Sequence, residues 1–220
     1  VLGHKMTSCT VKGSQTSVGS SANVASGATI MSGSTNVTSN YAITYEPGTL
    51  TVTVGTLTVT ATPYNATYDG SSHNGITSIS AKNQENTAVS PTYTYSTDGT
   101  NYSSTMPTVQ NVTSGTTIYW KAALTGYTTA TGSVSAKVTA KKVTVTGKDA
   151  SKIYDGTALT LASATVANKA TLSGQVSGHT LSAVTCSGSI TYVGTKNNTP
   201  SAATIMSGST NVTSNYAITY

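Results

Sequence analysis

Apolar and polar residues alternate along most of this chain. Leu50-Thr-Val52-Thr-Val54 and Leu57-Thr-Val59-Thr-Ala61 alternate strictly, and Val143-Thr-Val145-Thr146 does the same. A period of two marks a strand with one face buried and the other wet, and Thr suits the wet face. Thr117-Ile118-Tyr119-Trp120-Lys121-Ala122 and Ser133-Val134-Ser135-Ala136-Lys137-Val138 read as core strands. On that reading Tyr119 and Trp120 point to opposite faces, with Trp120 the more buried. No window of about 12 residues carries an i, i+3, i+4, i+7 apolar pattern closed by caps, so nothing reads as a helix. Turn pairs punctuate the strands at short spacing: Ser32-Gly33, Pro47-Gly48, Asp69-Gly70, Asp98-Gly99 and Asp155-Gly156. Asp98-Gly99 lies between Tyr93-Thr-Tyr95 and Tyr102 and predicts a hairpin. The fold class is all-β.

Thr29–Tyr45 and Thr204–Tyr220 carry the same seventeen residues, TIMSGSTNVTSNYAITY. The match extends weakly upstream at one offset of 175 residues. Gly3-His4 falls on Gly178-His179, Gly13-Ser14 on Gly188-Ser189, and Val18-Gly19 on Val193-Gly194. The chain therefore reads as a window on a tandem array. Identical sequence predicts one backbone conformation for the two copies. Ile30, Val37, Tyr41 and Ile43 are expected to match Ile205, Val212, Tyr216 and Ile218 in burial.

Strands nearly abut at two places. Leu50–Ala61 holds two strands parted by Gly55-Thr56, and Val134–Thr146 holds two parted by Ala140-Lys141-Lys142. Neither place has a Gly/Ser or Pro linker, so little freedom is expected there. Residues 1–54 read as the C-terminal part of one domain. Residues 56–140 read as a complete domain of a second type. Residues 141–220 read as the N-terminal part of the first type again, without the strand that residues 46–54 supply to the first copy. An unpaired edge is expected there, closed by a continuation of the polypeptide or by a neighbour's Thr49–Val54 strand.

Composition narrows the function. Hydrophobic residues are 36% and charged residues only 8%, while Thr and Ser supply about a third of the chain. The net charge is +5, but the Lys are scattered and Arg is absent, so nothing offers a planar fork to phosphate or guanine. Neither nucleic acid nor a membrane span is expected. Cys9 and Cys186 lie in the two copies but two positions out of step, and they read as unpaired within the chain, either small hydrophobes or partners in an intermolecular bridge. His4 and His179 share one repeat position, His73 sits apart, and no His-x-x-x-His or paired-Cys pattern accompanies them. Six acids spread over 220 residues make no calcium loop. No catalytic, metal or cofactor residues are assigned, and no enzyme is expected.

Lys152-Ile-Tyr154-Asp155-Gly156-Thr157 after a first strand, followed later by Asn215-Tyr-Ala-Ile-Thr-Tyr220, resembles the YDG-type, mostly-β glycine-rich (MBG-like) bacterial immunoglobulin-like repeats. Asn40–Tyr45 followed by Pro47-Gly-Thr-Leu-Thr-Val-Thr53 looks like the closing half of the same repeat. The middle segment, with Tyr68-Asp69-Gly70, Tyr95–Ser103 and Gly126–Val134, is similar to a sister module. The resemblance implies tandem immunoglobulin-like β-sandwich domains in large secreted surface adhesins, mostly of Gram-positive bacteria, with no general catalytic residues. The function it implies is a structural stalk or fibre segment outside the cell. Its partners would be neighbouring repeats or copies of itself, with host glycan or protein bound elsewhere in a longer chain.

The motif has a reading of its own. Tyr-Asp-Gly sets an aromatic at a strand end, then a side-chain turn former, then a residue free to take positive φ. Tyr68 and Tyr154 are expected to plug one end of a sandwich and to hydrogen-bond through their hydroxyls. Two other functions compete. A strand from one protomer could complete the next in a self-assembling filament or surface layer. Tyr102, Tyr119, Trp120 and Tyr127 could form a glycan platform, against the plainer role of core and strand-edge packing. Related surface domains also carry Lys–Asn or Lys–Asp cross-links. Lys148 near Asp149 and Lys152 near Asp155 are the places to look, though no spare buried acid accompanies either.

Overall fold

The computed structural model describes all 220 residues. It is mostly β and is built from several small sheets. Helix is confined to one four-residue segment, α1 (Val166–Lys169), and to single 3-10 turns at Thr38–Asn40 and Thr213–Asn215. No helix is long and apolar enough to cross a membrane. By contact density the chain divides into two compact units. One comprises residues 1–59, 81–92 and 122–130, the other residues 60–80, 93–121 and 131–220.

The first segment has four strands: β1 (His4–Lys12), β2 (Gly19–Ser32), β3 (Thr35–Asn36) and β4 (Gly48–Val52). The long β2 organises them. Val24–Ser32 pairs antiparallel with β1, Met31-Ser32 with β3, and Gly19–Asn23 with β4.

The middle segment supplies β5 (Leu57–Pro63), β6 (Asn65–Thr67), β7 (His73–Asn74), β8 (Ile76–Asn83), β9 (Ala88–Val89), β10 (Thr92–Ser96), β11 (Thr108–Val109), β12 (Thr113–Ala123) and β13 (Ala130–Thr139). Their orders are β5-β8-β9, β10-β12-β13-β6 and β7-β11. The predicted core strands are β12 and β13. Ile118, Trp120, Ala122, Ala136 and Val138 are buried at alternate positions, and Tyr119 faces the other way, half exposed. The Asp98-Gly99 hairpin forms as predicted, closed by Tyr95 N–H to Ser103 O at 2.7 Å and Ser103 N–H to Tyr95 O at 2.9 Å. Gly99 supplies a φ of +76° at its tip.

The last segment holds β14 (Lys141–Gly147), β15 (Leu159–Thr160), α1, β16 (Ala170–Ser173), β17 (His179–Ser187), β18 (Ser189–Ile190), β19 (Thr199–Ser207), β20 (Thr210–Asn211) and β21 (Tyr216–Thr219). Its sheets run β16-β14-β21, β17-β19-β20 and β15-β18. Val145, Ala170, Val184, Cys186 and Ala203 form its core, with Val166, Leu172, Leu181 and Ile218 packed around them. Cys186 is thus a core hydrophobe, and both cysteines are free.

The repeat extends further in backbone than in sequence. β1 pairs with β2 at His4↔Ser32, Met6↔Ile30, Ser8↔Thr29, Thr10↔Ser26 and Lys12↔Val24. β17 pairs with β19 at the same positions plus 175, from His179↔Ser207 to Ser187↔Thr199, with the same two irregularities. The shared conformation is therefore found, but of the four expected burial matches only Ile43 with Ile218 holds, both being half buried. Ile205, Val212 and Tyr216 are buried, while Ile30, Val37 and Tyr41 are only half buried. The reason is pairing: Tyr216–Thr219 lies parallel to Lys141–Thr144 of β14, whereas Tyr41–Thr44 belongs to no strand.

Candidate functional site

β13 ends at Thr139 and β14 starts at Lys141, so Ala140 alone separates them. β6 runs parallel to β13 with Thr67 opposite Thr139. β21 runs parallel to β14 with Tyr216 opposite Lys141. The residue after β6 and the first residue of β21 therefore flank Ala140. These are Tyr68 and Tyr216, both buried, with rings edge-on at 5.6 Å between centroids. The Tyr68 N–H is fixed to Thr139 O at 2.8 Å. His179, also buried, packs against both rings. Its Nδ1 lies 2.6 Å from the Tyr216 hydroxyl, which also accepts the Val176 N–H at 3.1 Å. Burial and the neighbouring Tyr68 raise the Tyr216 pKa, although the Val176 N–H works against them.

A polar clasp lies beside these rings. The side-chain oxygen of Asn215, a residue only 3% exposed, accepts the Val112 N–H at 2.8 Å. Its amide donates to Asn111 Oδ1 at 3.0 Å. Gln110 donates to Gly70 O at 2.9 Å. Gly70 holds a φ of +84°, and a side chain there would press on Val176, with Cβ only 3.1 Å from Cγ1. The identical Asn40 of the first copy is exposed. Burial of Asn215 thus comes from the neighbouring segment and not from its own sequence.

The two Tyr-Asp-Gly motifs share turn chemistry but not burial. Asp69 accepts from the Ser71 N–H and from His73 Nε2, and His73 stacks on Tyr64. The His73 hydrogen bond, then the Ser71 N–H, lower the Asp69 pKa. Asp155 accepts from Lys152 Nζ at 2.7 Å and from the backbone and hydroxyl of Thr157, and these bonds hold its carboxyl well below the usual range. Gly70 and Gly156 both take positive φ. Tyr68 plugs the joint at 3% exposure, but Tyr154 stands 59% exposed, which corrects the expectation that both are plugs. Tyr68 has Tyr216 and His179 to pack against, while Tyr154 sits in residues 148–158, which form no strand. Lys152–Asp155 is an exposed ion pair with no buried acid beside it, so it has the surroundings of a turn clasp and not of a cross-link.

The other near-abutment is closed as well. Gly55 donates to Gly126 O at 2.9 Å and accepts from the Thr128 N–H at 2.9 Å. Gln84 Oε1 accepts the Thr56 N–H at 3.2 Å. The Tyr127 ring lies so close that a Cβ on Gly55 would sit 2.8 Å from it, which only glycine avoids.

No three His, Cys, Asp or Glu side chains gather as metal ligands. Trp120 is buried with its ring against Gly132, Lys121 Nζ covers the Tyr102 ring at 3.8 Å, and Gly99 packs on Tyr119. Each of these rings has a packing partner within the chain. The His–Tyr pair escaped the sequence reading although its signal was there. His4–Tyr41 and His179–Tyr216 are 37 residues apart in both copies, and His4 Nδ1 meets the Tyr41 hydroxyl at 2.7 Å. Comparison with protein-family models, curated proteins and solved structures returns no match for this chain.

Proposed function

We propose that this chain is a structural spacer: a stalk or fibre segment of a secreted bacterial surface adhesin. It consists of tandem immunoglobulin-like sandwich modules over residues 1–54, 56–140 and 141–220. Its role is to couple one module to the next without slack. The observation that carries this reading is the joint at Ala140, where one residue separates two strands and Tyr68, His179, Tyr216 and Asn215 close over it. The low charge and the Thr-rich outer faces suit a solvated extracellular surface, and the repeat-family resemblance points the same way.

The test is orientation. Residual dipolar couplings of residues 60–80, 93–121 and 131–139 should fit one alignment tensor with those of residues 141–220 in the wild type. They should need two after a Gly-Ser-Gly-Ser insertion behind Ala140. Two tensors in the wild type would refute the spacer role. Antibody labelling of intact producing cells tests the location, and a protein reached only after lysis overturns it.

A further inference from the structure

β2 and β19 are the same strand of the repeat, yet they differ in length. β2 spans 14 residues, and its first five, Gly19–Asn23, pair with β4. The counterparts of those five are Gly194–Asn198. They form no strand, and β19 begins only at Thr199. Beside them runs an open groove of about 940 Å³. Leu159, Leu161 and Ile190 lie in its walls, together with the exposed side chains of Tyr154, Tyr192 and Val193. Val193 is 92% exposed. Its counterpart Val18, in the copy that carries β4, is 45% exposed. An apolar wall beside a stretch of backbone outside any ladder is a template for one more strand.

We propose that this groove is a docking site for an extended segment of the Glu46–Val54 type, Glu-Pro-Gly-Thr-Leu-Thr-Val-Thr-Val. The internal repeat dictates the occupant and its register. β4 lies on β2 with Val52 opposite Gly19, Thr51 opposite Ser20, Leu50 opposite Ser21, Thr49 opposite Ala22 and Gly48 opposite Asn23. Transposed, Val faces Gly194, Thr faces Thr195, Leu faces Lys196, Thr faces Asn197 and Gly faces Asn198. Leu and Val then share one side because side chains alternate along a strand. In the first copy that side is the half-buried one, while Thr49 and Thr51 are exposed. The hydroxyl pair Ser20–Thr51, 3.0 Å apart, is replaced by two threonines, which keeps the contact. β4 itself is engaged on β2, so the proposed occupant is a segment of this type other than β4. This inference rests on the internal repeat and not on the spacer role.

The experiment is a titration of the synthetic peptide Glu46–Val54 into the isotope-labelled 220-residue chain, followed by amide resonances. Saturating shifts at Gly188–Asn198 and Tyr220, with slowed amide exchange at Gly194–Asn198, are expected. A peptide carrying Leu50→Asp and Val52→Asp should bind about tenfold more weakly or worse. Three results overturn the proposal: no saturation by millimolar peptide, equal binding of the aspartate peptide, or shifts confined to Gly19–Asn23, where the peptide would only replace β4. If the same groove residues shift on dilution without peptide, a second copy's β4 already fills the groove and the proposal fails.

Discussion

Tyr41 and Tyr216 are one residue of the repeat in two surroundings, which makes them a matched pair for substitution. Tyr216→Phe leaves the buried His179 and the Val176 N–H each without a partner. The expected loss is about 1–3 kcal/mol, since an orphaned buried polar group costs its desolvation. Tyr41→Phe, at a half-exposed site, should cost less than about 1 kcal/mol. Urea unfolding of the two variants checks the difference, and equal losses would contradict it. The Tyr216 hydroxyl also sets a pH dependence. Its folded pKa is raised, so its stabilisation is complete below about pH 10 and is lost as pH climbs through the folded value. Tyr64, Tyr93 and Tyr95 are raised by burial in the same direction. The urea midpoint should therefore fall on the alkaline side, and less steeply in Tyr216→Phe. A midpoint that stays flat above about pH 10 would be inconsistent with these buried hydroxyls.

At the level of elements, what could be read in advance was what is local. The Asp98-Gly99 hairpin is specified within the six residues Ser96–Asn101. Asp98 accepts from the Ser96 hydroxyl, the Asn101 side chain and the backbone N–H groups of Asn101 and Thr100, and these bonds depress its pKa strongly. A depressed carboxylate contributes stability above its unfolded pKa of about 3.9 and loses it as pH falls through the folded value. Asp98→Asn should loosen the Tyr95–Ser103 bridge at neutral pH and remove the acid dependence of that turn. Amide exchange at Ser103 measures both, and unchanged exchange would show that the carboxylate is not what closes the turn. The strands β4, β5, β12, β13 and β14 were equally legible, because alternation is a property of each strand alone. The parallel pairings β6–β13 and β14–β21 were not, since they join residues about 70 apart and depend on crossovers that no local pattern encodes. Tyr154 failed for the same reason. Its motif fixed the turn, whereas burial depends on a distant aromatic partner that Tyr68 has and Tyr154 lacks.

For the molecule as a whole, the duplicated segment is an internal control. Thr29–Tyr45 and Thr204–Tyr220 have identical sequences, so their unfolded amides exchange at nearly the same intrinsic rates. Any difference in protection reports structure alone. The second copy should exchange more slowly, most of all at Ile205, Val212 and Tyr216, which are buried where Ile30, Val37 and Tyr41 are not. Equal protection would mean that the β14 pairing is only transiently formed. The repeat itself was legible at sight, and so was its reuse of one backbone. The joint at Ala140 was legible only as a missing linker. The clasp that fills it comes from Gln110, Asn111 and Asn215, three ordinary polar residues that carry no pattern in the sequence.

The parallel pairing of β14 with β21 has a mechanical consequence. They are the first and last strands of residues 141–220, and they point the same way. Tension applied between Lys141 and Thr219 drags them past each other in shear, so their hydrogen bonds resist together. The antiparallel pair β17 and β19, pulled apart at the facing residues His179 and Ser207, unzips one bond at a time. Single-molecule extension through cysteine handles should give a clearly higher rupture force for the first geometry than for the second. Equal forces would remove shear as the basis of any mechanical strength in this chain.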